Sequence, residues 1–303
     1  MSSRSRRVPG RVSESRVPAA ALAVAGAVTL AAVGAGCAPQ SSDSGSSKSS
    51  AKAASCTPDG LATKTKGTLT VATDKPAYPP WFIDNKPANG KGYESAVAYA
   101  VADKLGYAKD KVTWIVVSFN TAIAPGPKQY DMDINEFSIS PERRKAVDFS
   151  SPYYDVRQTV VALSSSKIAK ATSVAALKNA KLGAQVGTTS YQAITESVKP
   201  SVKPQVFNNN DDAKKALQNG QIDGLVVDLP TAFAVTAEIK GSTIVGQLPK
   251  LSGKPEQFGI VLDKDSPLTA CVSKAVDALQ SDGTLAALQK KWLADTAGAP
   301  ELK

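Results

Sequence analysis

Histidine is missing from all 303 residues. Its absence removes Ser-His-Asp and Cys-His nucleophilic catalysis and every histidine-based metal site. Cysteine is scarce. Cys37, Cys56 and Cys271 are too few for a four-thiolate zinc site, so neither a metal nor another cofactor is expected. Beyond residue 36 no apolar run is long enough to cross a bilayer. Dense Lys/Arg blocks with interleaved aromatics are also absent there. The net charge of +9 is spread along the chain and gives nucleic-acid binding no support.

What is present begins with an address. Arg4, Arg6, Arg7, Arg11 and Arg16 form a basic region ahead of the small and apolar run Ala19 to Ala35, which ends in Gly34-Ala35-Gly36-Cys37. The pattern is a secretory signal over 1–36, and it resembles a bacterial lipoprotein signal in which Cys37 is lipidated. A departure is Gly34, where a bulky aliphatic residue is usual. A transmembrane anchor is the other reading of the run. Removing residues 1–36, with five basic and one acidic residue, lowers the net charge to +5. Residues 37–55, rich in Ser, Ala and Lys, read as a flexible tether, which places the folded part at the outer face of the cell membrane. In an exported chain the two remaining cysteines, Cys56 and Cys271, point to a disulfide; two separate buried thiols are the alternative.

Strand and helix patterns alternate in two series. Strands are expected at Gly67 to Thr73, Val112 to Val117, Met132 to Ile134 and Thr159 to Leu163. A second set falls at Lys181 to Val186, Gln205 to Phe207, Leu225 to Val227 and Phe258 to Leu262. Helices are expected at Glu94 to Leu105, Ala175 to Lys178, Thr189 to Val198, Asp211 to Asn219, Thr231 to Lys240 and within Pro267 to Trp292. This is an α/β pattern with mostly parallel sheets in two lobes of about one hundred residues each. Ligands of open parallel sheets sit beyond the carboxyl ends of the strands. Asp74 and Tyr78, then Glu136, Ser138 and Arg143, then Gly187, Thr188 and Thr189, and finally Asp228 fall at such ends.

The segment Asn135 to Lys145 carries the most specific chemistry. Ser140-Pro141 reads as a helix start, with Ser at N-cap and Pro at the first position. Arg143, Arg144 and Lys145 in the first turn oppose the helix dipole. An arginine at such a terminus suits an anion, held as a carboxylate by two parallel hydrogen bonds, with Ser138 adding a hydroxyl. A solvated basic turn is the plainer reading. After the second strand, Ala124-Pro125-Gly126-Pro127 rules against a regular helix.

Thr73-Asp74 with Tyr78, Gly92-Tyr93-Glu94, Ser138 through Arg143, Val147 through Tyr154, Gly187 through Ser190, Asp223 with Asp228, and Phe258 through Leu262 occur in a shared order. By these the chain, from about Gly67 to Trp292, resembles the family 3 extracellular solute-binding proteins of ABC importers, which bind polar amino acids. The lipoprotein-like start and the Cys56–Cys271 pair resemble its actinobacterial branch. The resemblance implies a two-lobed, type II periplasmic-binding-protein-like fold. The first lobe would run over 56–163 with a return over 251–303, the second over 164–250, joined by crossovers near 161–163 and 258–260. It implies an amino acid in the cleft, an importer permease as partner, a monomer, and no enzyme activity. Arg143 would hold the α-carboxylate, helped by Ser138 and Thr189, and Asp228 would hold the α-ammonium. Tyr78 and Phe119 would sandwich the aliphatic part. Asp74, Glu136 and Gln185 would face the ligand's side chain.

Other roles stand beside these. Asp228, Thr188 and Thr189 suit helix caps, Asp74 an Asx-turn, and Tyr78 and Phe119 the core. Asp223 reads as structural, and Trp114 and Trp292 as packing. Glu136 replaces the small or neutral residue of many relatives and favours a ligand with amide or cationic nitrogen, glutamine or a basic amino acid; pairing with Arg144 or Lys145 is its alternative. A dehydratase-like enzyme on the same fold, with Glu136 as general acid, and a sensing module for a signalling partner are the rival functions.

Overall fold

The computed structural model describes residues 55–250, 255–293 and 298–303. The expected signal, the tether through residue 54 and Cys37 lie outside them. The strands are β1 Leu69–Thr73, β2 Val112–Val116, β3 Met132–Asp133, β4 Asp148–Val156, β5 Gln158–Leu163, β6 Leu182–Gln185, β7 Gln205–Phe207, β8 Gly224–Asp228, β9 Ser242–Gln247 and β10 Glu256–Leu262. They form two five-stranded sheets, ordered β2-β1-β3-β10-β4 and β7-β6-β8-β5-β9. The helices are α1 Tyr93–Lys104, α2 Phe119–Ile123, α3 Thr189–Ala193, α4 Asn210–Gln218, α5 Leu229–Glu238, α6 Thr269–Ser281 and α7 Thr284–Leu293.

Each sheet is apolar on both faces, as burial beneath helices on both sides requires. In the first, Val71, Ile260 and Leu262 face the cluster packed on α1, α6 and α7, while Ala72 and Val261 face Phe119, Phe137 and Phe149. In the second, Val160, Leu182 and Val226 turn to one face, and Val161, Leu225 and Val227 turn to α4 and α5. Gly92 precedes α1 at φ +97, and a Cβ there would lie 2.3 Å from the Trp81 carbonyl oxygen. Only glycine lets α1 start against that loop.

The sheets are mixed rather than mostly parallel. β1 runs parallel to β2 and β3, but β10 is antiparallel to β3 and β4. β6 runs parallel to β7 and β8, but β5 is antiparallel to β8 and β9. The strands β4 and β9 carry no clean alternation. β4 contains Pro152, tolerated because the strand lies at a sheet edge. Only Arg157 separates β4 from β5, yet the two belong to different sheets. The chain crosses there and returns between Gln247 and Glu256, so both crossings precede the expected ones and 158–163 belongs with the second lobe. The tail, expected with the first lobe, also lies on the second. Gln247 N donates to Pro300 O at 2.7 Å, Leu302 N donates to Gln247 O at 2.9 Å, and Leu302 is buried in that lobe's core.

Local expectations change at 140–145 and at 189–198, while 124–127 holds no helix, as expected. The helix from Ser140-Pro141 is a single 3-10 turn, Arg143–Lys145; Arg143 N does donate to Ser140 Oγ at 3.2 Å, but the chain then enters β4. No helix dipole therefore acts on this basic turn. The helix over 189–198 is α3 followed by a π turn, Ile194–Val198. Before Pro125, α2 stops after five residues, and the buried Lys128 Nζ donates to the carbonyl oxygens of Thr121 and Ala124. That ammonium satisfies the Ala124 carbonyl and gives the Thr121 carbonyl, which already accepts from Ala124 N at 3.3 Å, a second donor.

Cys56 and Cys271 form a disulfide, tying the chain ahead of β1 to α6 across 215 residues. Closing so long a loop removes much unfolded-chain entropy, and losing a native disulfide costs about 2–5 kcal/mol. Reduction, or Cys271→Ser, is expected to lower the melting temperature by roughly 5–15 °C. A scanning-calorimetry shift under 2 °C would contradict the constraint.

Candidate functional site

The loops leaving β1, β3, β6 and β8 converge between the lobes around a cleft of about 550 Å3, its mouth included. Asp74, Tyr78, Phe119, Glu136, Gln185, Thr188, Thr189 and Asp228 line it, with Asn135, Ser190, Asn210 and Thr231. Ser138 and Arg143 lie beside the cleft rather than in its lining.

Glu136 is held by its backbone as much as by its side chain. Its φ of +53 is uncommon for a residue with a Cβ. Its N–H donates to Glu94 Oε1 at 2.7 Å, and Tyr153 OH donates to the same oxygen. Glu94 is fully buried at the first turn of α1. The Glu136 carboxylate reaches the other lobe, where Thr231 Oγ1 on α5 donates to its Oε2 at 2.9 Å. Thr231 Oγ1 in turn accepts from Trp81 Nε1 at 2.8 Å. Among the described residues Glu136 pairs with neither Arg144 nor Lys145.

Asp228 stands at the N-cap of α5 but makes no side-chain cap. Its Oδ1 accepts from Gln158 Nε2 at 2.7 Å. Asp74 serves its own loop, taking Lys75 N at 2.6 Å and the first N–H of α2, from Phe119, at 3.1 Å. The expected Asx-turn is not formed, because the residue two places on is Pro76, which has no N–H; Asp74 does line the cleft. Asp223 binds Lys181 N at 2.6 Å and Lys167 Nζ at 3.0 Å within the second lobe. Trp114 packs on Phe82 and Tyr99, and Trp292 packs against the first lobe's core.

Glu136, Asp228 and Glu94 resist ionisation. Burial, then the charges of Glu94 and Asp228, hold Glu136 well above the usual carboxylate range. Burial and then Glu256 raise Asp228 well above it, against the lowering effects of Gln158 and Arg143. Burial pushes Glu94 up to about 7. No lysine or arginine is found in the described lining.

Arg143 is the nearby cation. Its NH1 donates to Ser138 O at 2.6 Å and its NH2 to Gly187 O at 3.0 Å, so it bridges the lobes through backbone. Its guanidinium lies 5.3 Å from the Phe119 ring centroid. Burial lowers its pKa to about 10, with Glu256 and Asp228 opposing. Two of its five N–H groups are spent on these carbonyls, leaving three. Gly187 has φ +76, and a Cβ there would come within 2.5 Å of Asn120 Oδ1. A side chain at 187 would be strained by the left-handed backbone and would force the Asn120 side chain aside.

Phe119 stacks on Phe137 at 4.8 Å between centroids, so it is core on one face and cleft wall on the other. Lys214 Nζ lies 5.2 Å from the centroid of the Tyr78 ring and pairs with Asp211 at 3.0 Å. Thr188 caps α3, its Oγ1 accepting from Tyr191 N at 3.3 Å. Sequence reasoning missed Thr231, Gln158 and Glu256. A glutamine opening the apolar strand Gln158–Leu163 was the one visible signal among them.

Residues 69–295 match the model of the bacterial extracellular solute-binding proteins, family 3. The chain is 29% identical over 215 residues to an ABC transporter glutamine-binding protein of Bacillus subtilis, covering 68% of this chain and 75% of that protein. It is 27% identical over 237 residues to an L-arginine-binding protein of Pseudomonas aeruginosa, covering 74% and 90%. Among solved structures, an ancestral arginine-binding protein bound to glutamine superposes with a TM-score of 0.63 at 33% identity, covering 75% of this chain and 98% of that one.

A carboxyl whose pKa rises on folding stabilises the folded state below its unfolded value, and that contribution is lost as pH climbs through the folded value. For Glu94 the window runs from 4.5 to about 7. The unliganded protein is therefore expected to melt roughly 5 °C higher at pH 5.5 than at pH 7.5, and Glu94→Gln to flatten the profile. A melting temperature that rises with pH over this range would contradict the burial of these acids.

Proposed function

The chain belongs to the bacterial extracellular solute-binding proteins, family 3, and from that premise we propose that it captures a polar amino acid with a nitrogen-bearing side chain, cationic ahead of glutamine, for delivery to an ABC importer. The observation that carries this reading is the cleft lining: Asp74, Glu136 and Asp228 face one space, and no lysine or arginine in the described lining balances them. Desolvated carboxylates need cationic partners. A basic amino acid brings two, its α-ammonium and its side chain.

In the assigned roles Asp228 takes the α-ammonium, and Glu136 and Asp74 take the side-chain nitrogen. Arg143 takes the α-carboxylate through its remaining N–H groups, with Ser138 and Thr189. Tyr78 and Phe119 flank the aliphatic stem, with Gln185 and Thr188 at the wall. Groups from both lobes grip one molecule, so occupancy favours the closed form. The protein acts as a monomeric carrier, exported and held to the outer face of the membrane by lipid on Cys37 and the tether 37–55. The relatives described above are binding proteins, which favours a carrier over a dehydratase.

A thermal-shift panel of the twenty amino acids is expected to rank arginine and lysine first, glutamine next and glutamate last. Preference for glutamate would overturn the assignment of Glu136. Arg143→Ala is expected to cost about 2–5 kcal/mol of binding, roughly thirty-fold to several thousand-fold in Kd. Calorimetry showing near-normal affinity would remove Arg143 from the site.

A further inference from the structure

Glu256 opens β10, where the chain re-enters the first sheet, and faces Gln158, which opens β5 in the second. Both of its oxygens accept from Gln158 Nε2, at 3.2 and 3.1 Å. Ser138 Oγ donates to Glu256 Oε1. Ser138 Oγ and Thr189 Oγ1 are 3.1 Å apart, and Gln158 Nε2 lies 3.4 Å from Thr189 Oγ1. A hydroxyl has one proton. With the Ser138 proton given to Glu256, the bond between the two hydroxyls is donated by Thr189. Both protons thus run one way, from Thr189 to Ser138 to Glu256. Arg143 NH1 sits on the carbonyl of the same Ser138. These hydroxyls and this guanidinium are the donors proposed to hold the ligand's α-carboxylate. One anion, supplied by the chain, already terminates the hydroxyl chain.

We propose that Glu256 is a resident carboxylate in the α-carboxylate subsite, and that it determines which amines the cleft accepts. This inference rests on the amino-acid reading of the cleft. A ligand bearing an α-carboxylate must displace Glu256 from Ser138 and then lie beside its charge, in a low-dielectric gap where like charges repel strongly. An amine without an α-carboxylate leaves the Glu256–Ser138 bond in place. Its ammonium gains from Glu256 and Asp228 together, since both accept from the one Gln158 amide. Glu256 therefore narrows the advantage of an amino acid over the corresponding decarboxylated amine.

The test uses L-arginine and agmatine, which share a side chain and differ in the α-carboxylate, titrated by calorimetry into the wild-type protein and Glu256→Gln. The isosteric amide removes the charge and retains the shape. The arginine-to-agmatine affinity ratio is expected to rise at least ten-fold, arginine binding more tightly and agmatine more weakly. Glu256→Ala, which empties the position, is expected to move the ratio the same way and guards against a folding defect in the first variant. A ratio unchanged within three-fold in both variants, with wild-type binding intact, overturns the role of Glu256 and leaves the amino-acid reading standing. Failure of the wild type to bind agmatine or any of the twenty amino acids overturns that reading and this inference with it.

Discussion

Closing two lobes over Asp74, Glu136 and Asp228 takes three carboxyls towards the protein interior with one guanidinium, Arg143, close by and already engaged on carbonyls. Glu94 behind Glu136 and Glu256 beside Asp228 add to the same charge. In water this arrangement would cost little, but in a desolvated gap it shifts Glu136, Asp228 and Glu94 towards their neutral forms. The features of the cleft follow from managing that cost. Hydrogen bonds from Thr231, Gln158 and Ser138 support the carboxylates, and the proposed cationic ligand would supply what they lack.

The same bonds link the lobes. Trp81 and Glu136 belong to the first, and Thr231 joins them from α5 of the second. Gly187 of the second lobe meets Arg143 and closely approaches Asn120 of the first. Closure is thus built from a few polar contacts around a cavity rather than from a broad apolar interface. Such contacts are individually modest in net worth, and a ligand that adds several more can decide the balance between open and closed forms.

Precision in the cleft comes from a second set of bonds, made by lining residues and by residues behind them. Asp74 holds the first turn of α2 and Lys128 its last carbonyls, so Phe119 is fixed at both ends of a five-residue helix too short to be stable alone. Glu94 holds Glu136 in a left-handed conformation by taking its N–H. The Pro-Gly-Pro segment after Ala124, without a role when read alone, is the reason α2 needs a buried ammonium at its end.

Local patterns made much of this legible. The apolar strands, the helix at Asp211 to Asn219 and the cysteine pair could be read because each depends on neighbours in sequence or on the compartment. The order of the loops after β1, β3, β6 and β8 placed Asp74, Glu136, Thr189 and Asp228 around one space before any coordinates. The antiparallel β4 and β9, the crossing at Arg157 and the tail on the second lobe were hidden, since strand direction and sheet membership are set by distant pairing. Hidden too were Gln158, Thr231 and Glu256, more than 20 residues from any cleft partner. The chain by itself determined which side chains were charged, apolar or rigid. Only tertiary structure decided which charges lose their water together, because desolvation depends on what the folded chain brings alongside each group.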